Sequence, residues 1–146
     1  MTQPAMSKGR LQRRAVVRML QKLQHAVPGV VLFREGLHAF SEGAHGWHLA
    51  LAVAELLTAS AVAIALLLAI RSLAADLKAG RAPHLHFGID WTDIFLGAML
   101  FTEVAAKYPE SHRLWRPATL LGIAMIVLGV WGGQIAKWKA EKLGRT

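Results

Sequence analysis

The chain has 146 residues, of which 54% are hydrophobic, and its formal net charge is +8. It contains no cysteine, which excludes disulfides, thiolate metal sites and thiol redox chemistry by this chain itself. Its length suits a single domain. Because long apolar segments alternate with basic ones, the excess of Lys and Arg favours contact with anionic lipid over contact with nucleic acid.

Residues 1–26 are predicted to form a basic amphipathic helix that lies in the membrane interface. From Ser7 to Val27, apolar residues fill one half of a helical wheel, basic residues fill most of the other half, and no acidic residue is present. Such a helix places its apolar face among acyl chains and its basic face against headgroups. An arm that binds a soluble partner is the alternative, and no signal peptide is expected. The residues predicted to contact the lipid surface are Arg10, Arg13, Arg14, Arg18 and Lys22.

Residues 27–138 are predicted to form the transmembrane domain, followed by a basic tail, 139–146. Pro28 and Gly29 are expected to interrupt the first helix and to open a short polar span that ends near Phe40. Each of the three apolar segments that follow is expected to cross a hydrocarbon core of about 30 Å. These three segments are Leu49–Ile70, Ile89–Ala106 and Pro117–Ala136.

The distribution of Lys and Arg predicts four crossings rather than three. With four, thirteen of these seventeen residues would lie on the cytoplasmic side, three outside and Arg34 within the first span, whereas three crossings would divide all seventeen ten against seven. The positive-inside rule favours the first arrangement. The predicted fold is therefore an all-α, four-helix transmembrane bundle in a cell inner membrane, with cytoplasmic N and C termini.

Two stripes of small residues are predicted to pack against protein. Without a hydrophobic drive between helices in lipid, small residues permit the close backbone approach on which helix packing depends. The sequence leaves open whether the neighbour is a helix of this chain or another subunit. The stripes are Ala61, Ala65 and Ala69 on the second span, and Ala118, Gly122, Gly129 and Gly133 on the fourth.

Six ionisable residues are predicted to share the outer half of the membrane. Intramembrane charges cost a few kcal/mol each, so mutual pairing is expected, with Arg34 against Glu55 and Glu103 against Lys107. The pairs could merely fix helix register, form a pocket for a quinone headgroup, a proton or a small solute, or contact a partner protein. The six residues are Arg34, Glu35, His38, Glu55, Glu103 and Lys107.

The sequence predicts no catalytic residue and no metal site. Asp90 and Asp93 are interpreted as N-terminal residues of the third span, where carboxylates stabilise a helix. The pairs His45/His48 and His84/His86 lack a third convergent ligand. No P-loop, nucleophile elbow or HExxH motif is present. The chain is therefore not expected to be an enzyme.

Three features along the chain form a pattern: the stretch Val27-Pro-Gly-Val-Val-Leu-Phe-Arg-Glu-Gly-Leu-His-Ala-Phe40 in the first span, an early Glu within Ala54-Glu55-Leu56-Leu57 in the second, and a glycine-containing last helix, Leu121-Gly122 to Leu128-Gly129. This pattern resembles that of DoxX-like and MauE-like membrane proteins. The resemblance implies a four-helix bundle that serves as a subunit or helper of membrane redox systems. The chain departs from the thiol branch of that pattern because it has no cysteine.

Two functions follow as expectations. The first is a non-catalytic accessory or scaffold subunit of a larger membrane complex, whether redox, respiratory or photosynthetic. The alternative is a small membrane protein that binds or transports a quinone-like or other small molecule through its polar cluster. Lipids and other membrane subunits are the expected partners, and no cofactor is required, although a quinone would suit the second function.

Overall fold

The computed structural model describes residues 8–84, 87–114 and 116–144, and within them all regular secondary structure is helical. The side chains of Arg10 and of residues 139–144 lie outside that description. Residues 145–146, which complete the predicted tail 139–146, also lie outside it. The helices, in chain order, are α1 (Lys8–Leu23), α2 (Ala26–Ser41), α3 (Trp47–Lys78), α4 (Trp91–Ser111) and α5 (Pro117–Gly144).

The break between α1 and α2 lies earlier than the sequence predicted. It falls at Gln24 and His25, and α2 already includes Pro28 and Gly29. Pro28 is tolerated because it sits in the first turn of α2, where the missing N–H has no helical acceptor. Gly29 is buried against Val62 of α3. The Pro–Gly pair therefore starts a packed helix instead of ending an interfacial one.

The helices form two antiparallel hairpins, α2 with α3 and α4 with α5, which meet through α2 and α4. Within the described residues, α3 and α5 do not contact each other, so they lie at the two sides of the molecule. The α2–α3 and α4–α5 contacts are close because glycines lie in them. A Cβ atom on Gly36 would lie 2.9 Å from the Ala52 carbonyl oxygen, and one on Gly97 would lie 2.8 Å from the Gly122 carbonyl oxygen.

The hydrophobic core is small and lies where the hairpins meet. It comprises Leu32, Val62, Leu96, Leu100 and Met125. Large apolar side chains on the outer surfaces remain exposed, among them Leu57 at 66%, Leu67 at 63% and Leu120 at 59%. Many of the large apolar side chains therefore face outward.

Two helical segments are long and apolar enough to cross a membrane, Trp47–Lys78 and Pro117–Trp138. Only 11% and 22% of their most apolar windows are buried within the chain, unlike the mostly buried core helix of a water-soluble protein. The described parts of α2 and α4 do not meet the same criterion of length and hydropathy. These findings fit a membrane protein with at least two candidate spans.

Candidate functional site

Four side chains from three helices meet on one side of the hairpin junction, and we call them the carboxylate–lysine cluster: Glu35 of α2, Glu55 of α3, and Glu103 and Lys107 of α4. The Lys107 ammonium forms ion pairs with Glu35 and with Glu103, the latter at 2.6 Å between Nζ and Oε1. The Glu55 carboxyl interacts with that of Glu103, and it lies close enough to Lys107 and Glu35 for electrostatic interaction with both. One ammonium thus contacts two of the three carboxyl groups, and the third, Glu55, lies beside Glu103.

Glu55 is the most deeply buried member of the carboxylate–lysine cluster. It is 1% exposed, and its Oε1 atom has no hydrogen-bond partner among the described residues. Gly36 of α2 allows this placement, since a Cβ at Gly36 would lie 3.3 Å from the Glu55 Cβ. A buried carboxyl oxygen without a donor is costly and calls for a proton or another cation.

The predicted pairing of Arg34 with Glu55 is wrong. Arg34 is exposed on α2 and makes no ion pair with Glu55 in the described part of the chain. Successive residues on a helix point about 100° apart, so turning Glu35 toward Lys107 turns Arg34 away. His38 also lies outside the cluster, exposed and 3.4 Å from Glu42. The pairing of Glu103 with Lys107 is as predicted.

The charges within the carboxylate–lysine cluster do not balance. If all three carboxyls are ionised, a single ammonium leaves an excess of two negative charges in a largely buried setting. Such a setting makes an uncompensated charge expensive. The arrangement can therefore hold protons or a small cation between α2, α3 and α4.

A second polar group, the histidine–aspartate cluster, joins His25 to Asp90 and Asp93. The His25 Nε2 atom lies 2.8 Å from Asp93 Oδ1 and 3.7 Å from Asp90 Oδ2. Asp90 caps α4 by accepting the Thr92 N–H at 3.0 Å. Asp93 is fully buried and accepts a hydrogen bond from Gln24 Nε2 at 2.6 Å.

Within the histidine–aspartate cluster, the pKa values of His25 and Asp90 are shifted strongly in opposite directions. Burial by itself would lower the pKa of His25, but interaction with Asp90 and Asp93 outweighs burial and raises the pKa from 6.5 to about 9. Its contact with His25 holds the pKa of Asp90 well below the usual range, with smaller help from Thr92 and Lys22. The two aspartates therefore favour the charged form of His25.

Sequence reasoning missed His25 as a partner of the two aspartates. In the sequence, His25 falls within the predicted interfacial helix of residues 1–26 without a role of its own, and Asp90 and Asp93 are interpreted only as residues that stabilise a helix N-terminus. Asp90 does cap α4. The contact with His25 joins residues 68 positions apart (25 and 93), and no local pattern marks it. The other described histidines considered as ligands, His45, His48 and His84, are exposed, and His86 lies outside the described residues.

The small-residue stripes occupy different environments. On α5, Gly122, Gly129 and Gly133 are buried, and Ala118 packs against the core. A Cβ on Gly129 would lie 2.8 Å from the Asp90 carbonyl oxygen, which itself belongs to the turn that precedes α4. On α3, Ala61 and Ala65 are exposed and Ala69 is half-buried. The α3 stripe thus faces away from this chain.

The basic residues of α1 differ in their exposure to solvent. Arg13 and Arg14 are exposed, whereas Arg18 and Lys22 are half-buried. Ala15 is buried, and α1 packs against α3 and α2. The helix is therefore attached to the rest of the protein and still presents basic side chains outward.

Comparison with known proteins finds no family model, no curated protein and no solved structure that matches this chain at a significant level.

Proposed function

We propose that the protein is a four-crossing integral membrane protein that binds a proton or a small cationic solute at its carboxylate–lysine cluster. The observation that carries this proposal is Glu55, a buried carboxyl with a partnerless oxygen in an apolar helix, beside two further carboxyls that share one lysine. We assign the protein to a cell inner membrane, with its N and C termini on the cytoplasmic side.

The outward apolar surface supports insertion of the whole α2–α5 unit. Val30 on α2 is 68% exposed and Phe95 on α4 is 54% exposed. Large apolar residues of α3 and α5, such as Leu57 and Leu120, are exposed to a similar degree. Contiguous apolar surface of this kind marks contact with a membrane or a partner. Because α2 and α4 form the contact between the two hairpins, with α3 and α5 on either side of it, a bilayer that surrounds α3 and α5 would also surround α2 and α4.

The polar residues of α2 and α4 are compatible with a membrane location because most of them lie within the protein. Glu35 and Lys107 satisfy each other, and Glu103 shares that lysine. The exposed Arg34 has a long side chain that can extend toward the headgroups. At 16 residues, α2 spans about 24 Å, which local bilayer thinning accommodates.

The chemistry of the carboxylate–lysine cluster favours a positively charged ligand. An excess of two carboxylates is neutralised by two protons, or by one proton and one monovalent cation. The four-crossing topology puts the cluster in the outer half of the bilayer, near the ends of α2 and α4 and the start of α3. A ligand would therefore enter from the outer face. The same four crossings are what the resemblance to DoxX-like and MauE-like proteins implies.

Infrared difference spectroscopy in lipid nanodiscs tests this function. The full-length protein is titrated from acidic to mildly alkaline pH, and the carbonyl band of protonated carboxyls is followed. Parallel samples are assayed for saturable binding of radiolabelled sodium. The proposal expects a buried-carboxyl band or sodium binding in the natural protein and its loss in Glu55→Gln. The matched control is Glu110→Gln, an exposed residue. Neither signal in the natural protein, or equal signals in Glu55→Gln, would overturn the proposal.

A second candidate function is a non-catalytic accessory subunit of a larger membrane complex. It is favoured by the outer face of α3, where Ala61 and Ala65 are exposed among large apolar residues. Small residues at a helix surface permit close approach by another helix. Purification from native membranes in mild detergent tests it. Stoichiometric partners that are lost in Ala65→Leu support this function, and a lone monomer contradicts it.

A further inference from the structure

The geometry points to a second binding site, independent of the proposed function: a divalent transition-metal site of the zinc or manganese class, formed by His25, Asp90 and Asp93. The three ligand atoms, one from each residue, lie within 4.8 Å of one another. Two carboxylates match the charge of a divalent ion, and imidazole with carboxylates is a ligand set that zinc and manganese accept.

The spacing of the ligand atoms suits a metal. Zinc binds nitrogen and oxygen at about 2.0–2.2 Å, which puts neighbouring tetrahedral ligands about 3.3 Å apart. The observed separations from His25 Nε2, 2.8 Å to Asp93 Oδ1 and 3.7 Å to Asp90 Oδ2, bracket that value. Small rotations of the side chains would equalise them. Three protein ligands leave at least one position open for water or a solute.

Each aspartate has one oxygen held and the other directed at His25. Asp90 Oδ1 accepts the Thr92 N–H, which leaves Oδ2 toward the histidine. Asp93 Oδ2 accepts from Gln24 Nε2, which leaves Oδ1 toward the histidine. Outer contacts of this kind orient metal ligands and contribute to affinity. Gln24 is therefore assigned a positioning role.

The two most buried ligand atoms lack hydrogen-bond partners in the described residues. His25 is 7% exposed and Asp93 is 0% exposed, and neither Nε2 nor Oδ1 makes an aligned hydrogen bond although they lie 2.8 Å apart. This observation does not depend on the ligand spacing and also favours a metal.

The backbone around the site is fixed from α5. The Asp90 N–H donates to the Gly129 carbonyl at 2.8 Å, and the absence of a side chain at Gly129 lets α5 approach Asp93 closely. The site thus joins α1, α2 and α4 at one end of the molecule. A metal here would tie the basic interfacial helix α1 to the α4–α5 hairpin.

Calorimetry of the full-length, chelator-stripped protein with Zn²⁺ and with Mn²⁺ tests the site, with Co²⁺ absorption as a spectroscopic readout. We expect one equivalent of metal to bind. Removing a ligand, in His25→Gln or Asp93→Asn, is expected to weaken binding about 100-fold or more. Removing the positioning contact, in Gln24→Ala, is expected to weaken it by about 10- to 100-fold.

The matched control is His48→Gln, because His48 is an exposed histidine outside the site. It should leave the affinity unchanged. No binding by the natural protein, or equal binding by it and by Gln24→Ala and Asp93→Asn, would overturn the inference. If the ligand variants unfold, Gln24→Ala decides, because it keeps all three ligands. Absence of metal binding at this site would not contradict the proposed function of the carboxylate–lysine cluster. Absence of proton or sodium binding at that cluster would likewise not contradict the metal site.

Discussion

The Nζ atom of Lys107 lies 2.6 Å from Oε1 of Glu103, one helical turn earlier on α4. The same ammonium contacts Glu35 of α2, and Glu103 in turn faces Glu55 of α3. This one cation therefore links α2 to α4 directly, and the carboxyl of Glu103 extends the cluster to α3.

Replacing Lys107 with Met is expected to destabilise the protein. The substitution leaves three carboxyls without a cation, and breaking a buried ion pair costs about 3–5 kcal/mol. Because Lys107 is about one-third exposed, the expected loss in the free energy of unfolding is about 2 kcal/mol. Denaturation in mixed micelles measures it. Lys78→Met, at an exposed position, is the control, and equal effects of the two substitutions would contradict the role of Lys107.

Replacing Glu55 with Gln is expected to leave stability unchanged or to raise it, because it removes a carboxyl that has no direct cationic partner. The same variant should lose proton or cation binding. The separation of the two effects distinguishes a ligand site from a group that merely fixes helix register. A fall of about 3 kcal/mol in the free energy of unfolding, with ligand binding retained, would assign Glu55 to register instead.

Two glycines three residues apart on α5 form a matched pair. In Gly129→Ala the new Cβ would lie 2.8 Å from the Asp90 carbonyl oxygen, whereas at Gly132 it would meet nothing within 4 Å. We expect Gly129→Ala to cost about 1–3 kcal/mol through overpacking. Gly132→Ala should be neutral or slightly stabilising, as alanine favours a helix. Equal melting temperatures for the two variants would contradict the α4–α5 packing.

In metal-free buffer with a chelator, stability is expected to fall on the alkaline side. The pKa of His25 is raised in the folded protein, so its contribution is complete below the unfolded value of 6.5 and disappears as pH rises through about 9. The total loss is about 3 kcal/mol, from 1.36 kcal/mol per pKa unit. Thermal unfolding against pH measures this fall. His25→Gln should flatten the curve, and a natural protein with a flat curve would contradict the ion pair.

The sequence was sufficient to identify α3 and α5 because length and continuous hydropathy decide whether a helix can cross a bilayer. Their candidate spans, Trp47–Lys78 and Pro117–Trp138, contain the predicted segments. The start of α2 was mispredicted because Pro28 carries the same local signal whether it ends one helix or occupies the first turn of the next. Only the packing of Gly29 on Val62 distinguishes the two.

The candidate sites could be predicted only in part. Glu103 and Lys107 are four residues apart, so helical periodicity alone pairs them. Which of the adjacent residues Arg34 and Glu35 faces inward depends on the rotation of α2, which Gly36 fixes by its contact with Ala52. The encounter of His25 with Asp93 depends on how both hairpins and α1 assemble, and that information is not local in sequence.

Cysteine accessibility tests most directly the claim that the carboxylate–lysine cluster lies within a four-crossing membrane domain. The chain has no native cysteine, so single cysteines at Gly9, Ala44, Ala82 and Leu114 report on one segment each. The account predicts that Ala44→Cys and Leu114→Cys react with an impermeant maleimide in intact cells, and Gly9→Cys and Ala82→Cys only after permeabilisation. Labelling of Gly9→Cys and Ala44→Cys from the same side, or of Ala82→Cys and Leu114→Cys from the same side, would contradict it.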